Sequence, residues 1–260
     1  MARRWVFLDV GNVLLDEDPL TFLSLVRHAE AVGRARPGVT FLDVLAAREA
    51  RSAAGSRWPL YEAVVPVLGE DGCAEVWAAT EREVRARYAE LSPPVAGAAD
   101  LIRVLAREFR LGLIANQGNE ARERLAALGW LDALEVVALS EEVGSYKPDP
   151  ALFRAALDRA GAEPAECLMV GDRLDNDVAP AASLGMATAW VRWPVRADKG
   201  WAPAEPDARA YLASLERLAP PAPAAGAGLE PSFTVDDLYA LHAVVREWSG
   251  TRPPADGAGG

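Results

Sequence analysis

Cysteine is nearly absent from this chain. Cys73 and Cys167 are the only two in 260 residues. They are too few and too far apart for a disulfide framework or a zinc site, and they fit a reducing compartment, so the cytoplasm is the expectation. Histidine is as scarce, with His28 and His242 alone, each on a stretch of helical periodicity where a surface or packing role is expected. Clusters of basic residues are missing too. Lys and Arg total 27 against 38 Asp and Glu, a formal net charge of −11. Nucleic acid is excluded as a partner on that ground, because phosphate-backbone binding depends on grouped cations that release counterions. No stretch reaches the roughly 18 uninterrupted apolar residues that a membrane-spanning helix needs. The apolar run near the start is broken by Asp9 before a signal-peptide core forms. Neither a membrane nor a secretory leader is therefore expected.

What remains is an ordinary globular composition, 51% hydrophobic and 25% charged, long enough for one large α/β domain or for two domains. Short runs that are apolar throughout mark strands covered on both faces, the pattern of a parallel sheet. Such runs occur at Trp5 to Leu8, Leu111 to Ala115, Leu134 to Ala138, Cys167 to Val170 and Thr188 to Val191. Helical periodicity fills the spaces between the later ones, at Gly97 to Phe109, Ala121 to Leu128, Asp149 to Ala160 and Asp177 to Leu184. This alternation predicts an α/β fold with a Rossmann-like, doubly wound parallel sheet. Residues 18–91 break the rhythm, with helical signal at Leu20 to Val32, Phe41 to Ala54, Tyr61 to Leu68 and Ala74 to Leu91 and no convincing strand. They read as an inserted all-helical domain, with the core formed by residues 1–17 and 92–218. A Pro/Ala/Gly linker is expected over 219–230 and a disordered tail over 250–260. Between them, residues 231–249 read as an appended helix with Thr234 as its N-cap. Leu238, Leu241, Val245 and Trp248 recur on it at helical spacing, a face for docking on this chain or on a protein partner.

In an open α/β sheet, ligands collect at the carboxyl ends of the strands. Four predicted strand ends present polar groups there. Asp9 ends the first, Asn116 follows the second, Lys147 lies in Gly-Ser-Tyr-Lys-Pro, and Asp172 and Asp177 lie in Gly-Asp-Arg-Leu-Asp-Asn-Asp. Brought together, they form a site for a divalent cation and a phosphoryl group, since Mg²⁺ takes hard oxygen ligands and a lysine acts as a point charge on phosphate oxygens. Each also has a plainer reading. Asp9 can be a turn residue, Lys147 a solvated loop lysine, and Asp172 and Asp177 caps on the following helix. Asp16, Glu17 and Asp18 read as a solvated acidic lead-in to the helical insert, with Asp16 the nearest carboxylate for proton transfer. Trp190 and Trp193 read mainly as packing.

The ordered set "FLDVGNVLLD", "LGLIANQGN", "VGSYKPDPALF" and "MVGDRLDNDVAPAASLGM" resembles the haloacid dehalogenase (HAD) superfamily over residues 5 to 218. The resemblance implies a Rossmann-like core, a helical cap inserted after the first motif that closes over the cleft, and an aspartyl-phosphate intermediate. It implies Asp9 as nucleophile and Lys147 as the residue that holds Asp9 and the phosphoryl group. Asn12, Ala115, Asn116 and Lys147 would surround the phosphate; Asp9, the Gly11 carbonyl, Asp172 and Asp177 would hold Mg²⁺. Gly11 is expected to let the chain turn tightly beside the phosphoryl group.

Two positions depart from the family pattern. Gly11 stands where a second aspartate normally serves as general acid and base, and Ala115 where Ser or Thr normally offers a hydroxyl. General acid–base assistance is worth about 10²–10⁴ in rate, and a charge-assisted hydrogen bond about 1.5–3 kcal/mol. Some family phosphatases do carry Asp-x-Gly-Asn. The resemblance therefore implies a Mg²⁺-dependent phosphatase of a small phosphorylated metabolite. The alternative is a catalytically degenerate or repurposed HAD-fold protein that binds a phosphorylated ligand or a protein partner.

Overall fold

In the computed structural model of the chain, residues 4–218 and 230–250 are described. The linker expected over 219–230 and the tail expected over 250–260 lie outside them, apart from Glu230 and Gly250. Six strands form one parallel sheet: β1 (Trp5–Leu8), β2 (Arg110–Ala115), β3 (Val136–Leu139), β4 (Cys167–Gly171), β5 (Ala187–Val191) and β6 (Phe233–Val235). Their order is β3-β2-β1-β4-β5-β6, so β1 lies between β2 and β4 and the sheet winds in both directions from it. That arrangement makes the carboxyl end of β1 a topological switch point, where a cleft opens between diverging connections.

The strands are short, and almost every residue in β1, β2 and β4 is buried. Burial on both faces explains why they read as continuous apolar runs. Phe7 and Ile114 share a cluster with Val136, Phe153, Leu157 and Met169. Gly112 lies opposite Phe7 in the register. A Cβ there would come within 2.6 Å of the Phe7 ring, so the glycine makes room for the aromatic beside it.

The C-terminal segment differs from the expectation in one respect. Thr234 is not a helix cap; Phe233–Val235 is a strand that pairs in parallel with β5. Its aromatic and β-branched residues suit a pleated partner, and the pairing satisfies backbone groups that β5 would otherwise leave open. The helix begins later, at Leu238, and the Asp237 carboxylate caps it by accepting from the Ala240 amide at 2.8 Å. Leu238, Leu241, Val245 and Trp248 are all buried, and the Trp248 ring lies 6.4 Å from that of Phe109. Arg4 donates to the Trp248 carbonyl at 3.0 Å and lies over its indole. The docking face on this helix is thus turned to this chain.

The chain divides into two compact units: Met1–Leu15, Pro94–Trp193 and Pro221–Gly260 form one, and Asp16–Pro93 with Pro194–Pro220 form the other. The second is helical, with Asp18–Ala35, Phe41–Ala53 and Pro59–Ala86, the last broken at Gly69, where φ is +70°. It also takes in the helix Pro206–Leu218, which the sequence pattern groups with the core. Tyr211 and Leu212 on that helix pack with Leu25, Val44, Leu45 and Val64. An amphipathic face can be read from sequence, but the partner it meets cannot.

The same unit holds a buried ion cluster. Asp16 and Asp18 are not a solvated lead-in: both are buried, and Lys199 lies between them at 2.7 Å and 2.6 Å. Burial raises the Asp16 carboxyl above its ordinary range, Lys199 pulls it back, and Asp18 pushes it further up. Asp16 is thereby committed to a structural partner.

Two stability effects are expected. Leu241→Ala removes a fully buried side chain and costs about 2–5 kcal/mol in urea denaturation. Lys199→Met leaves two facing carboxylates with only the more distant Arg196 to offset them and costs about 3–5 kcal/mol at neutral pH. A carboxyl whose folded pKa lies above its unfolded value binds more protons when folded, so the Lys199→Met deficit shrinks as pH falls below about 5; a deficit that grows instead would contradict this account.

Candidate active site

The carboxyl ends of β1 and β4 deliver the acidic groups. Asp9 follows β1 directly, and its amide still donates to the Val170 carbonyl at 2.9 Å, so its backbone stays in the ladder while its side chain stands beyond it. Asp172 follows β4, and Asp177 returns through a single wide turn, Leu174–Val178, of π-helical form. Such turns are uncommon and concentrate at functional sites. Oxygens of Asp9, Asp172 and Asp177 lie within 4.8 Å of one another.

Lys147 enters this group from the other side of the sheet's switch point. Its Nζ is 2.8 Å from Asp9 Oδ1 and 2.6 Å from Asp177 Oδ1. Lys147 is 5% exposed and Asp9 8%. Asn116, after β2, places the lysine: its Oδ1 accepts from the Lys147 amide at 2.7 Å and its Nδ2 donates to the Lys147 carbonyl at 3.0 Å. The Asn116 side chain is therefore a brace for the Lys147 loop, and Ala115 ends β2 beside it, fully buried.

Burial drives the Asp9 carboxyl well above the usual carboxylate range; Lys147 opposes this, while Asp177 and Asp172 add to it. For Lys147, burial works to lower the pKa, but attraction to Asp177 and Asp9 outweighs it and the net shift is upward. Three carboxylates gather around one ammonium, with the Arg173 guanidinium also attracted to Asp172 and Asp177, so negative charge remains in excess. An all-oxygen donor set with that excess suits a hard divalent cation. Asp9 Oδ1 takes both the Val10 amide and Lys147, while Oδ2 lies outside those two bonds. Asp9, Asp172 and Asp177 therefore fit a metal ion.

The turn after Asp9 is built differently from the expectation. Gly11 is buried but does not carry the left-handed conformation; Asn12 does, with φ of +55°. Asparagine is among the few residues that tolerate this. The Asn12 amide donates to the Leu15 carbonyl at 2.7 Å, and its own carbonyl accepts from the Trp193 indole at 2.8 Å. Trp190 is similar, donating its indole N–H to the Asp172 carbonyl at 2.9 Å. The two tryptophans thus do more than pack: each holds the backbone of a loop that carries a site residue. Nothing in the sequence distinguishes such an indole from an ordinary core residue, except that a buried Trp requires an acceptor for its N–H.

The family pattern described as haloacid dehalogenase-like hydrolase matches residues 4–185, a span that contains all four converging side chains. The chain belongs to this family. This HAD-like hydrolase is similar to the pyrimidine 5'-nucleotidase YjjG of Escherichia coli, 28% identical over 204 residues that cover 74% of this chain and 87% of the relative. It is also similar to the phosphoserine phosphatase of Thermus thermophilus, 39% identical over 103 residues, 39% of each chain. Among solved structures, the HAD phosphatase from Thermococcus onnurineus aligns with a TM-score of 0.59 at 20% identity, over 93% of this chain and 97% of that one, a likeness of fold.

Gly171 shows how tightly the hydrolase's site is packed. A Cβ at this last residue of β4 would overlap the Asp177 side chain, so only glycine lets that carboxylate lie against the strand end. Gly171→Ala is expected to destabilise the protein by about 1–3 kcal/mol through overpacking, measured by urea denaturation; a neutral result would mean that Asp177 does not occupy this position.

Proposed function

We propose that the chain is a Mg²⁺-dependent phosphatase that acts on a small phosphorylated metabolite through an aspartyl phosphate on Asp9. The observation that carries this reading is Lys147 Nζ held 2.8 Å from Asp9 and 2.6 Å from Asp177 within a cluster of three carboxylates. A lysine there holds the nucleophile's orientation and offers positive charge to phosphoryl oxygens. Bound Mg²⁺ would supply charge neutralisation, held by Asp9, Asp172 and Asp177 with the Gly11 carbonyl as a further ligand. The Asn12 side chain and the backbone amides near Ala115 and Asn116 line the phosphoryl group. The relatives named above include a nucleotidase and a phosphoserine phosphatase, which supports a phosphomonoester as substrate class. Two free, buried cysteines agree with work in a reducing cytoplasm, and among the described residues no helix is long and apolar enough to cross a membrane.

An Asp9 carboxylate oxygen attacks phosphorus, and the bond from phosphorus to the leaving oxygen breaks with its electron pair. Position 11 has no carboxyl group to protonate that oxygen, so the proton comes from water. Water then attacks the aspartyl phosphate, the Asp9 O–P bond breaks, and inorganic phosphate leaves with regeneration of the carboxylate and release of a proton. Asp16 is not the replacement acid, because Lys199 holds it in the helical unit. Leaving groups that need no protonation should therefore react best.

With p-nitrophenyl phosphate, Mg²⁺-dependent release is expected, falling at least about 10³-fold in Asp9→Asn and in Lys147→Met. Gly11→Asp is expected to raise turnover of an alkyl phosphate such as glycerol 3-phosphate by about 10²-fold or more, with a smaller gain on the aryl ester. Gly11 and Ala115 favour a second reading, a degenerate site that retains ligand binding. Metal binding by calorimetry without any release, and release only in Gly11→Asp/Ala115→Ser, would establish it.

A further inference from the structure

The helical unit contains a pocket of about 370 Å³ that the phosphoryl chemistry does not use. Three of the large hydrophobic side chains exposed on this protein gather around it: Trp58 at 63%, Trp77 at 52% and Tyr61 at 41%. Exposed aromatics carry a hydration cost, and three around one concavity mark a binding surface. The pocket's volume lies within the range of small-molecule sites. Trp77 is held in place by an edge contact with His28, centroids 5.6 Å apart. His28 in turn is fixed by its Nδ1 at 2.8 Å from the Ser24 carbonyl. The Trp77 side of the wall is therefore preformed.

The polar lining specifies more. Arg48 and Arg57 contribute two guanidinium groups and Glu81 one carboxylate, and Glu81 is already paired with Arg85 at 2.9 Å. In a chain with a net charge of −11, this local positive excess stands out. Arg48 Nη1 is buried and has no hydrogen-bond partner among the described residues. Its guanidinium lies 5.8 Å from the Tyr211 ring centroid, which positions it without satisfying that N–H. That nitrogen has no exposed surface, so a ligand meets Arg48 through the part of the side chain that lines the pocket. Arg57 lies over the Trp58 ring at 5.7 Å, adding a second cation at the aromatic wall.

We propose that this pocket binds a flat aromatic carboxylate of one or two fused rings, with its ring against Trp58 and Trp77 and its carboxylate on Arg48. Rings satisfy the exposed indoles by stacking, and the planar fork of the guanidinium matches a carboxylate with two parallel hydrogen bonds. A saturated chain would leave the stacking surface unused, and an aromatic cation would face two guanidiniums. The site lies wholly within the helical unit and does not depend on the phosphatase reading.

Calorimetry on the full-length protein with 1-naphthoate tests it. Binding is expected with Kd of about 10–300 μM, and 1-naphthylmethylammonium is expected to bind at least about tenfold more weakly. Arg48→Met should weaken 1-naphthoate at least about tenfold. Trp77→Ala and Trp58→Ala, at exposed positions where folding is not at stake, should each weaken it at least about threefold. Asp9→Asn should bind it as the natural protein does. No heat with 1-naphthoate at about 5 mM, or equal affinity for the ammonium, overturns the proposal. Loss of binding in Asp9→Asn would place the ligand at the acidic site and overturn it as well. Should Arg48→Met lose its native circular dichroism, Arg48→Lys, which keeps the charge but not the fork, is expected to weaken binding at least about threefold; unchanged affinity in all of the pocket variants would likewise overturn it.

Discussion

One buried ammonium group organises the acidic end of this protein's sheet. Lys147 stands within 2.8 Å of Asp9 and 2.6 Å of Asp177, and without it the low-dielectric end of the sheet would hold carboxylates repelling one another. Removing water from such charges is costly, and the cost is tolerated only where geometry and added hydrogen bonds are good. The surroundings are arranged to supply both. Asn116 grips the Lys147 backbone from two sides, the Arg173 amide donates to Asp177 Oδ2 at 3.0 Å, and the Val10 amide donates to Asp9 at 2.8 Å. The remaining negative charge is the electrostatic reason that this cluster suits a divalent cation.

The two units solve a similar problem in different ways. In the sheet unit, the lysine shares its carboxylates with a functional centre, and the site keeps a net deficit of positive charge. In the helical unit, Lys199 between Asp16 and Asp18 has Arg196 nearby, its Nη1 3.9 Å from Asp18, so charge is closer to balance. A buried ion pair contributes little net stability compared with apolar packing, but its removal by halves is severe. The first cluster is suited to accepting a cation; the second is closed.

Much of this was legible in the sequence because backbone chemistry and side-chain chemistry coincide at strand ends. A run such as Trp5 to Leu8 followed by Asp9 reports both a buried strand and what stands at its tip, and the same holds for Cys167 to Gly171 and Asp172. Features that depend on a partner were not legible. Asp16 and Asp18 looked solvated because Lys199 lies far along the chain. Thr234 looked like a cap because a three-residue strand leaves almost no periodicity to read. Gly11 attracted the turn assignment that belongs to Asn12, since glycine is the default for a left-handed residue and asparagine a less common choice. The aromatic pocket combines residues from three helices, and no linear pattern carries it.

The position of β1 has a bearing on biosynthesis. It is made before both strands that flank it, β2 and β4, which lie more than a hundred residues further along the chain, and Arg4 beside it closes onto the still later Trp248. Pairings so distant along the chain form slowly, and strand edges that wait for them are open to wrong associations. The nascent segment around Asp9 must therefore be kept from other edges until β4 has been made, so growth conditions that lengthen elongation would burden this protein more than one whose first strands pair with each other.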